Sequence, residues 1–500
     1  MGIPKLVNRY SLIVYSFIFN LIMTFVSYAM FLQMHFSVDS YAIIYDNSGQ
    51  QYLMQGRIVS YILNNLLNRF NINPTLNQQP LTLCLIISIS LCGSVLVKIL
   101  YDIFNNKNIT YFIMINIIVC ISYCNVFLLE WFLYPEITLF LAIGLISVFF
   151  SIWVISKNSR FINLFIAFIM LNISMGIYQA NLGIFIIYGL LILYIKNKGN
   201  LNKNAVVYSI KILFIGAFTS LINILSLKWL VYMGKAVKSD RDPNLNIETI
   251  KNNIIGILKI QKQIWSSTYG LLPKYALLFF VVVIVCSIIY LIVKNKINFK
   301  SILYLSMITI GSYLIIFVPH IFTNSLWIAQ RTIVPFFSFI SFLGLILLFF
   351  SGKDKSIHLM LGSISVMFLV INIVYIQLIG SNHISSNRMD QQFSILIDSE
   401  IKKYEENNNI KINNISAECD VNPTYNYNNI KYCIYDTNVR AFITPWANVN
   451  MINYYTNSSY KKVEMDMDIH NKYFKDKNWD NLNLKEQLIF SEDTLFLVIY

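Results

Sequence analysis

"YSLIVYSFIFNLIMTFVSYAMFL", residues 10–32, decides the fold, and "HFSVDSYAIIYDNSGQQYLMQGRIVSYIL", residues 35–63, raises the question of function. The first stretch is an unbroken apolar run of the length that covers ~30 Å of hydrocarbon at 1.5 Å per helical residue. The second carries Asp39, Asp46 and Arg57, yet further apolar runs follow it. These recur at roughly 80–101, 110–128, 137–156, 161–178, 181–195, 209–231, 275–293, 300–318, 332–350 and 356–380, which predicts about eleven transmembrane helices. Hydrophobic residues make up 56% of the chain and charged ones only 13%, with a mean hydropathy of +0.58, so the bilayer is the solvent for most of it. No small-residue cleavage site follows the first run, which therefore reads as an anchor and not a removable signal peptide.

Lys and Arg in short loops set orientation. Lys5 and Arg9, Lys107, Lys157 and Arg160, Lys196 with Lys198 and Lys203, Lys294 with Lys296 and Lys300, and Lys353 with Lys355 fall on alternate loops. The N-terminus is then expected in the cytoplasm and the tail outside. Topology accounts for much of the +13 net charge, so no nucleic-acid partner is expected. Cys84, Cys92, Cys120, Cys124 and Cys286 lie in or beside apolar runs, where a thiol behaves as a small hydrophobe. Cys419 and Cys433 lie in the tail, where an oxidising compartment would allow a disulfide.

The chain divides into a membrane part, residues 1–380, with long outer loops at 34–79 and 232–274, and an extracytoplasmic part, residues 381–500. Ile58, Ile62, Leu66 and Leu67 recur at helical spacing, which predicts an amphipathic helix in the first loop. A second amphipathic stretch, Ile247 to Trp265 with Lys251, Lys259 and Lys262, suits an interface with lipid phosphates. The tail opens with a helical pattern, "MDQQFSILIDSEIKKYEE", and continues with β-prone runs "KYCIYD", "RAFITPW" and "LFLVIY". A small α/β or α+β unit of about 110 residues is the expectation there.

Signatures of soluble enzymes, such as a phosphate-cradling GxxxxGK, a GxSxG elbow or an HExxH helix, are absent. What remains are charged groups at the outer ends of the runs: Asp39, Asp46 and Arg57 in the first loop, Glu130 and Glu136 flanking "WFLYP", and Arg331 before the tenth run. A carboxylate near the apolar boundary is costly to keep ionised unless paired, so each is a functional candidate. Simpler readings stand beside these. Asp39 could be a solvated loop residue or cap, Glu130 and Glu136 helix-end acids, Arg57 and Arg331 snorkelling side chains, and Trp131, Phe132 and Tyr134 an interfacial belt. His35 and His320 read as structural. Together, acids and arginines on one face suit a lipid-linked phosphate, because an arginine fork complements phosphate and a carboxylate can take a proton from an attacking hydroxyl.

In order along the chain, "VDSY", "QGRIVSYIL", "FLLEWFLYPEITLFLAIGL", "MGIYQANLGIFI", "RTIVPF" and the tail opening "NRMDQQFSILIDSEI" resemble the Gtr type II glucosyltransferases that modify bacterial O-antigens. That resemblance implies a multi-spanning GT-C fold. It further implies transfer of glucose from a polyprenyl-phosphate donor to a hydroxyl of a lipid-linked or surface glycan acceptor, at the outer face of the bacterial cytoplasmic membrane. In-line attack would invert the anomeric centre. By the same resemblance, Asp39 matches the first acid of a loop-one acidic pair and would be the general base or its orienting partner. Ser40 stands where the second acid is expected, which raises Asp46 as a substitute. Gly56 and Arg57 match a Gly-Arg element, Glu130 and Glu136 the acids of the second outer turn, Tyr178 and Gln179 a Tyr-Gln turn, and Arg331 a basic position for the donor phosphate. No cofactor follows from these residues, although two or three carboxylates could serve a divalent cation as well as a proton.

The rival readings are a lipid-linked sugar flippase or transporter and a glycan polymerase. A transporter calls for ionisable groups near span centres and usually a repeated half. Here the charges gather at outer ends and no internal symmetry is evident. A polymerase shares the lipid-linked sugars and large outer loops.

Overall fold

In the computed structural model, which describes residues 9–104, 108–157, 160–237, 239, 242–244, 246–352, 354–419, 437, 440–475 and 484–499, each apolar run is helical, one of them with a sharp break. Helix α1 (Arg9–Tyr28) leads through three short helices, α2 (Ser40–Tyr45), α3 (Gln50–Met54) and α4 (Ile58–Arg69), into α5 (Gln78–Phe104). Helices α6 (Ile109–Ile121) and α7 (Val126–Phe132) are bent by 62° at the break between them. Then come α8 (Thr138–Lys157), α9 (Phe161–Ile177), α10 (Asn181–Lys196), α11 (Lys203–Tyr232) and the expected amphipathic α12 (Ile247–Ser267). Helices α13 (Ala276–Lys294), α14 (Phe299–Leu314), the single turn α15 (Val318–Ile321), α16 (Pro335–Ser351) and α17 (Lys355–Asn408) complete the bundle. Among the described residues, seven helices are long and apolar enough to cross a membrane, or up to eight if the bent pair counts as one span. The remaining three of the roughly eleven expected runs are the shorter apolar helices α9, α10 and α14, at 17, 16 and 16 residues, below the ~20 that span the hydrocarbon without tilt or thinning.

Burial orders the bundle. The span containing α16 is 94% buried over its apolar window, against 28% for the spans of α1 and α11. A helix that is apolar all round belongs inside, and α10 and α16 form the centre against which the others pack. Asparagines start many of these helices: Asn108, Asn125, Asn202, Asn246 and Asn298 each accept a hydrogen bond from a backbone N–H in the first turn. That satisfies donors a helix N-terminus leaves unpaired. Inside the apolar layer, Ser16 donates to Asn116 Oδ1 at 2.7 Å, and Asn20 bonds Ser16, Ser94 and Tyr123. This polar cluster ties α1, α5 and α6 together where side-chain hydrogen bonds, not hydrophobicity, must hold helices in lipid.

Helix α17 runs for 54 residues, roughly 80 Å at 1.5 Å per residue. It absorbs both the last apolar run and the helical pattern that opens the tail. Its far end packs on β1 (Asn414–Cys419), β2 (Lys461–Val463), β3 (Leu488–Ser491), β4 (Thr494–Ile499) and α18 (Asn448–Thr456). The strands form one mixed sheet in the order β2-β1-β4-β3, with only β3 and β4 antiparallel. Ile397, Ile401, Ile415, Phe442 and Ile452 make a second apolar core, which also takes in Phe36 and Tyr41 from the first loop. Of the three β-prone runs, "LFLVIY" supplies Leu495 to Ile499 of β4, while "KYCIYD" and the Cys419–Cys433 pairing lie outside the described residues. "RAFITPW" is not a strand but consecutive turns: Pro445 has no N–H to donate to a ladder, Thr444 donates to Arg440 O at 2.7 Å, and Arg440 is drawn into a buried ion pair with Asp390.

Candidate active site

The segment 35–40 is anchored before it is functional. The His35 ring lies between the carbonyls of Gln33 and Phe132, each at 2.8 Å, which ties the loop to the end of α7. Burial pushes the imidazole below its ordinary pKa, while the two carbonyls act in the opposite direction. Ser37 and Ser40 then close a tight turn: Ser37 N–H donates to Ser40 Oγ at 2.9 Å and Ser40 N–H to Ser37 Oγ at 3.1 Å. Both hydroxyls point at one carboxylate, Ser37 donating to Glu136 Oε1 at 2.8 Å and Ser40 to Oε2 at 2.9 Å. Glu136 is 2% exposed and starts the turn before α8. The serine at position 40, where an acid is expected, is thus a matched donor; an acid there would set two like charges together in a buried site. Asp39, between the two serines, faces the other way and is exposed. Its Oδ1 accepts from Trp446 Nε1 at 3.2 Å.

The Gly56-Arg57 element ends α3 in a left-handed turn, with Gly56 at φ +69°. Only glycine takes that conformation without steric cost, and a Cβ there would meet Gln179 Nε2 at 3.4 Å. Gln179 donates to Gln55 O at 2.8 Å and Asn223 to Gly56 O at 3.0 Å, so the turn is held from behind by two amides. The Arg57 guanidinium lies 4.5 Å from the centre of the Tyr178 ring. Tyr178 and Gln179 therefore support Arg57, and neither lines the cavity described below.

Asn125 starts α7 by accepting from the N–H groups of Phe127 and Leu128, both at 3.0 Å, and so sets the direction of the short helix that carries Glu130. The Glu130 carboxylate receives both the guanidinium and the backbone N–H of Arg331. The side chains of this pair are 11% exposed for Arg331 and 1% for Glu130, so each charge depends on the other. Arg331 also donates to Tyr134 Oη at 3.0 Å, and its guanidinium lies 4.4 Å from the Tyr134 ring centre and 4.9 Å from that of Trp327. Trp131, Phe132 and Tyr134 are not an interfacial belt. All three are buried, and Trp131 donates to Arg331 O at 3.2 Å. Aromatic rings are needed here to clamp a planar cation.

These parts meet at a cavity of about 540 Å³ whose walls include Asp39, Asp46, Arg57, Tyr134, Glu136 and Arg331. Five of the eight sequence candidates thus share one space, although they span almost three hundred residues of chain. Glu130 stands behind Arg331, and Tyr178 and Gln179 behind Arg57. Asp46 sits at the exposed rim with its Oδ1 accepting from Ser48 N–H at 3.1 Å. Tyr52, also on the wall, is 2% exposed. Burial and the neighbouring Glu136 hold its phenol well above the ordinary range, so it remains a neutral donor. Tyr52, Gln51, Ser239 and Trp446 were missed by sequence reasoning. No motif marks the first three, and Trp446 comes from a stretch that reads as a strand. Among the described residues, no group of three or more His, Cys, Asp or Glu side chains is placed to hold a metal ion.

A family model described as glucosyl transferase GtrII matches residues 28–348, more than half of the chain. The match takes in Asp39, Arg57, Glu130, Glu136, Tyr178 and Arg331 and stops before α17. No curated protein matches the chain.

Proposed function

The chain belongs to the GtrII glucosyl transferase family, and from that premise we propose that it moves glucose from a polyprenyl-phosphate donor to a hydroxyl of an O-antigen-type glycan precursor, with inversion, in the cavity beside Asp39. The observation that carries this reading is the gathering of two guanidinium groups, Arg57 and Arg331, and the carboxylates of Asp39, Asp46 and Glu136 around one space of about 540 Å³ in a membrane protein. Arg57 and Arg331 receive the donor phosphate, for which a planar fork of N–H donors is the matching partner. Asp39 takes the proton of the acceptor hydroxyl as its oxygen attacks the anomeric carbon, general-base work typically worth ~10²–10⁴ in rate. The bond from that carbon to the phosphate oxygen breaks, and polyprenyl phosphate leaves with the electron pair, so one in-line displacement inverts the centre without a covalent intermediate. Glu130 keeps Arg331 in place, Glu136 braces the Ser37–Ser40 turn that presents Asp39, and Tyr52 adds a neutral donor.

On this reading residues 1–380 are the transferase part and residues 381–500 an extracytoplasmic part, whose place beside the cavity is supported by Phe36 and Tyr41 entering the core of the tail. The alternation of Lys and Arg along the loops supports a cytoplasmic N-terminus in the bacterial inner membrane. The test uses membranes containing wild type or Asp39→Asn at matched expression, polyprenyl-phosphate [14C]glucose, and the lipid-linked glycan fraction of the source organism. Label moved by wild type and not by the variant is the expected result. Wild type that transfers nothing from this donor, while exchanging lipid-linked sugar across the bilayer, would establish the flippase instead.

A further inference from the structure

Trp446 is the one aromatic side chain that the tail contributes to the cavity wall among the described residues. It is 58% exposed, and its indole reaches Asp39 from more than four hundred residues away. The stretch that presents it is built, not loose. Arg440 and Asp390 form an ion pair with side chains 3% and 2% exposed, which fastens the start of the segment to α17. Thr444 N–H donates to Ala441 O at 3.1 Å, Ala447 N–H to Thr444 O at 2.9 Å, and Asn448 N–H to Thr444 O at 3.1 Å, so the turns run directly into α18. Lys462 in β2 bonds Pro445 O from the other side. A surface tryptophan held this firmly next to a carboxylate, with its ring open to the space, has the form of a ligand platform: an apolar face for contact and an N–H for orientation.

Resting on the glucosyl-transfer reading above, we propose that Trp446 is the acceptor-sugar platform, stacking its indole on the pyranose ring that carries the attacking hydroxyl while its N–H orients the Asp39 carboxylate. The donor phosphate belongs at the two arginines on the membrane part, and the acceptor at the wall that the tail supplies. The hydroxyl to be deprotonated then lies beside Asp39, which the same side chain holds. Acceptor choice would accordingly reside in the tail, which the family match at 28–348 does not reach.

Two substitutions separate the two roles. Trp446→Gln keeps an N–H donor and removes the ring; Trp446→Phe keeps a ring and removes the N–H. In the transfer assay above, with the lipid-linked glycan fraction diluted to titrate acceptor, Trp446→Gln is expected to raise the acceptor KM about tenfold through loss of the ring face and leave the KM for polyprenyl-phosphate glucose unchanged. Trp446→Phe is expected to keep the acceptor KM within about threefold and to move the acidic limb of the kcat profile to higher pH, because a carboxylate that loses a donor to its charged form gains a proton more readily. Equal acceptor KM values in wild type and Trp446→Gln would overturn the platform, as would a donor KM that rises with it. Should Trp446→Gln not accumulate in membranes, an unshifted pH limb in Trp446→Phe overturns the orienting half and with it the proposal. Wild type inactive with this donor is a different failure, that of the underlying reading.

Discussion

Asp39 and Glu136 border the same cavity and are held in opposite ways. Glu136 is buried, and both of its oxygens are taken by serine hydroxyls from one turn. Asp39 is exposed and shares one oxygen with an indole on another part of the chain. Burial and the neighbouring Asp39 raise the Glu136 carboxyl to about 7, and a buried group whose oxygens are filled by serine hydroxyls is a structural anchor, since any motion strands polar atoms away from their partners. An exposed one can change partners when a ligand arrives. The arginines repeat the contrast: Arg331 is locked by Glu130 and two rings, whereas Arg57 is half-buried over one ring on a glycine turn.

The sharpest way to break this comparison is to neutralise each acid. Asp39→Asn is expected to lower kcat by ~10²–10⁴ with an unchanged melting temperature in detergent. Glu136→Gln is expected to lose ~1–3 kcal/mol of stability and keep most of the rate per folded molecule; the reverse outcome would exchange the two roles. Next in size, Glu130→Ala strands the Arg331 charge and is expected to cost ~3–5 kcal/mol, read as a steep fall in thermal stability. Arg331→Met with Glu130→Leu should recover much of that stability without recovering transfer. Gly56→Ala forces a side chain into the left-handed region at ~1–2 kcal/mol and displaces Arg57, so the donor KM should rise while the acceptor KM stays constant. Asp46→Asn, at the rim, should change kcat by less than about threefold, in line with surface substitutions of ±0.5 kcal/mol. A loss comparable to that of Asp39→Asn would move the base to Asp46.

Much of the bundle is legible in the chain because lipid leaves the backbone few choices. The apolar runs had to be helices, and the charged residues left over at their ends had to be few and conspicuous. Asp39, Asp46, Arg57, Glu136 and Arg331 could be picked out on those grounds. What the linear pattern could not separate was a residue that faces the cavity from one that stands behind it. Glu130 and Asp39 look alike as loop acids, yet Glu130 is spent on Arg331. Tyr178 and Gln179 read as substrate contacts; in the structure the Tyr178 ring lies beside Arg57 and Gln179 bonds Gln55 O behind it.

By itself, the sequence determined that this is a polytopic helical membrane protein, which stretches enter the apolar layer, and which handful of charges needs an explanation. Helical period and span length are local properties, read within twenty residues. Only the tertiary structure decided that α6 and α7 bend apart to deliver Glu130 to Arg331, that Ser40 completes a site for Glu136, and that a stretch with strand-like composition turns instead to set Trp446 on Asp39. Those outcomes depend on pairing charges and filling hydrogen bonds between residues a hundred or more positions apart, and no local pattern encodes them.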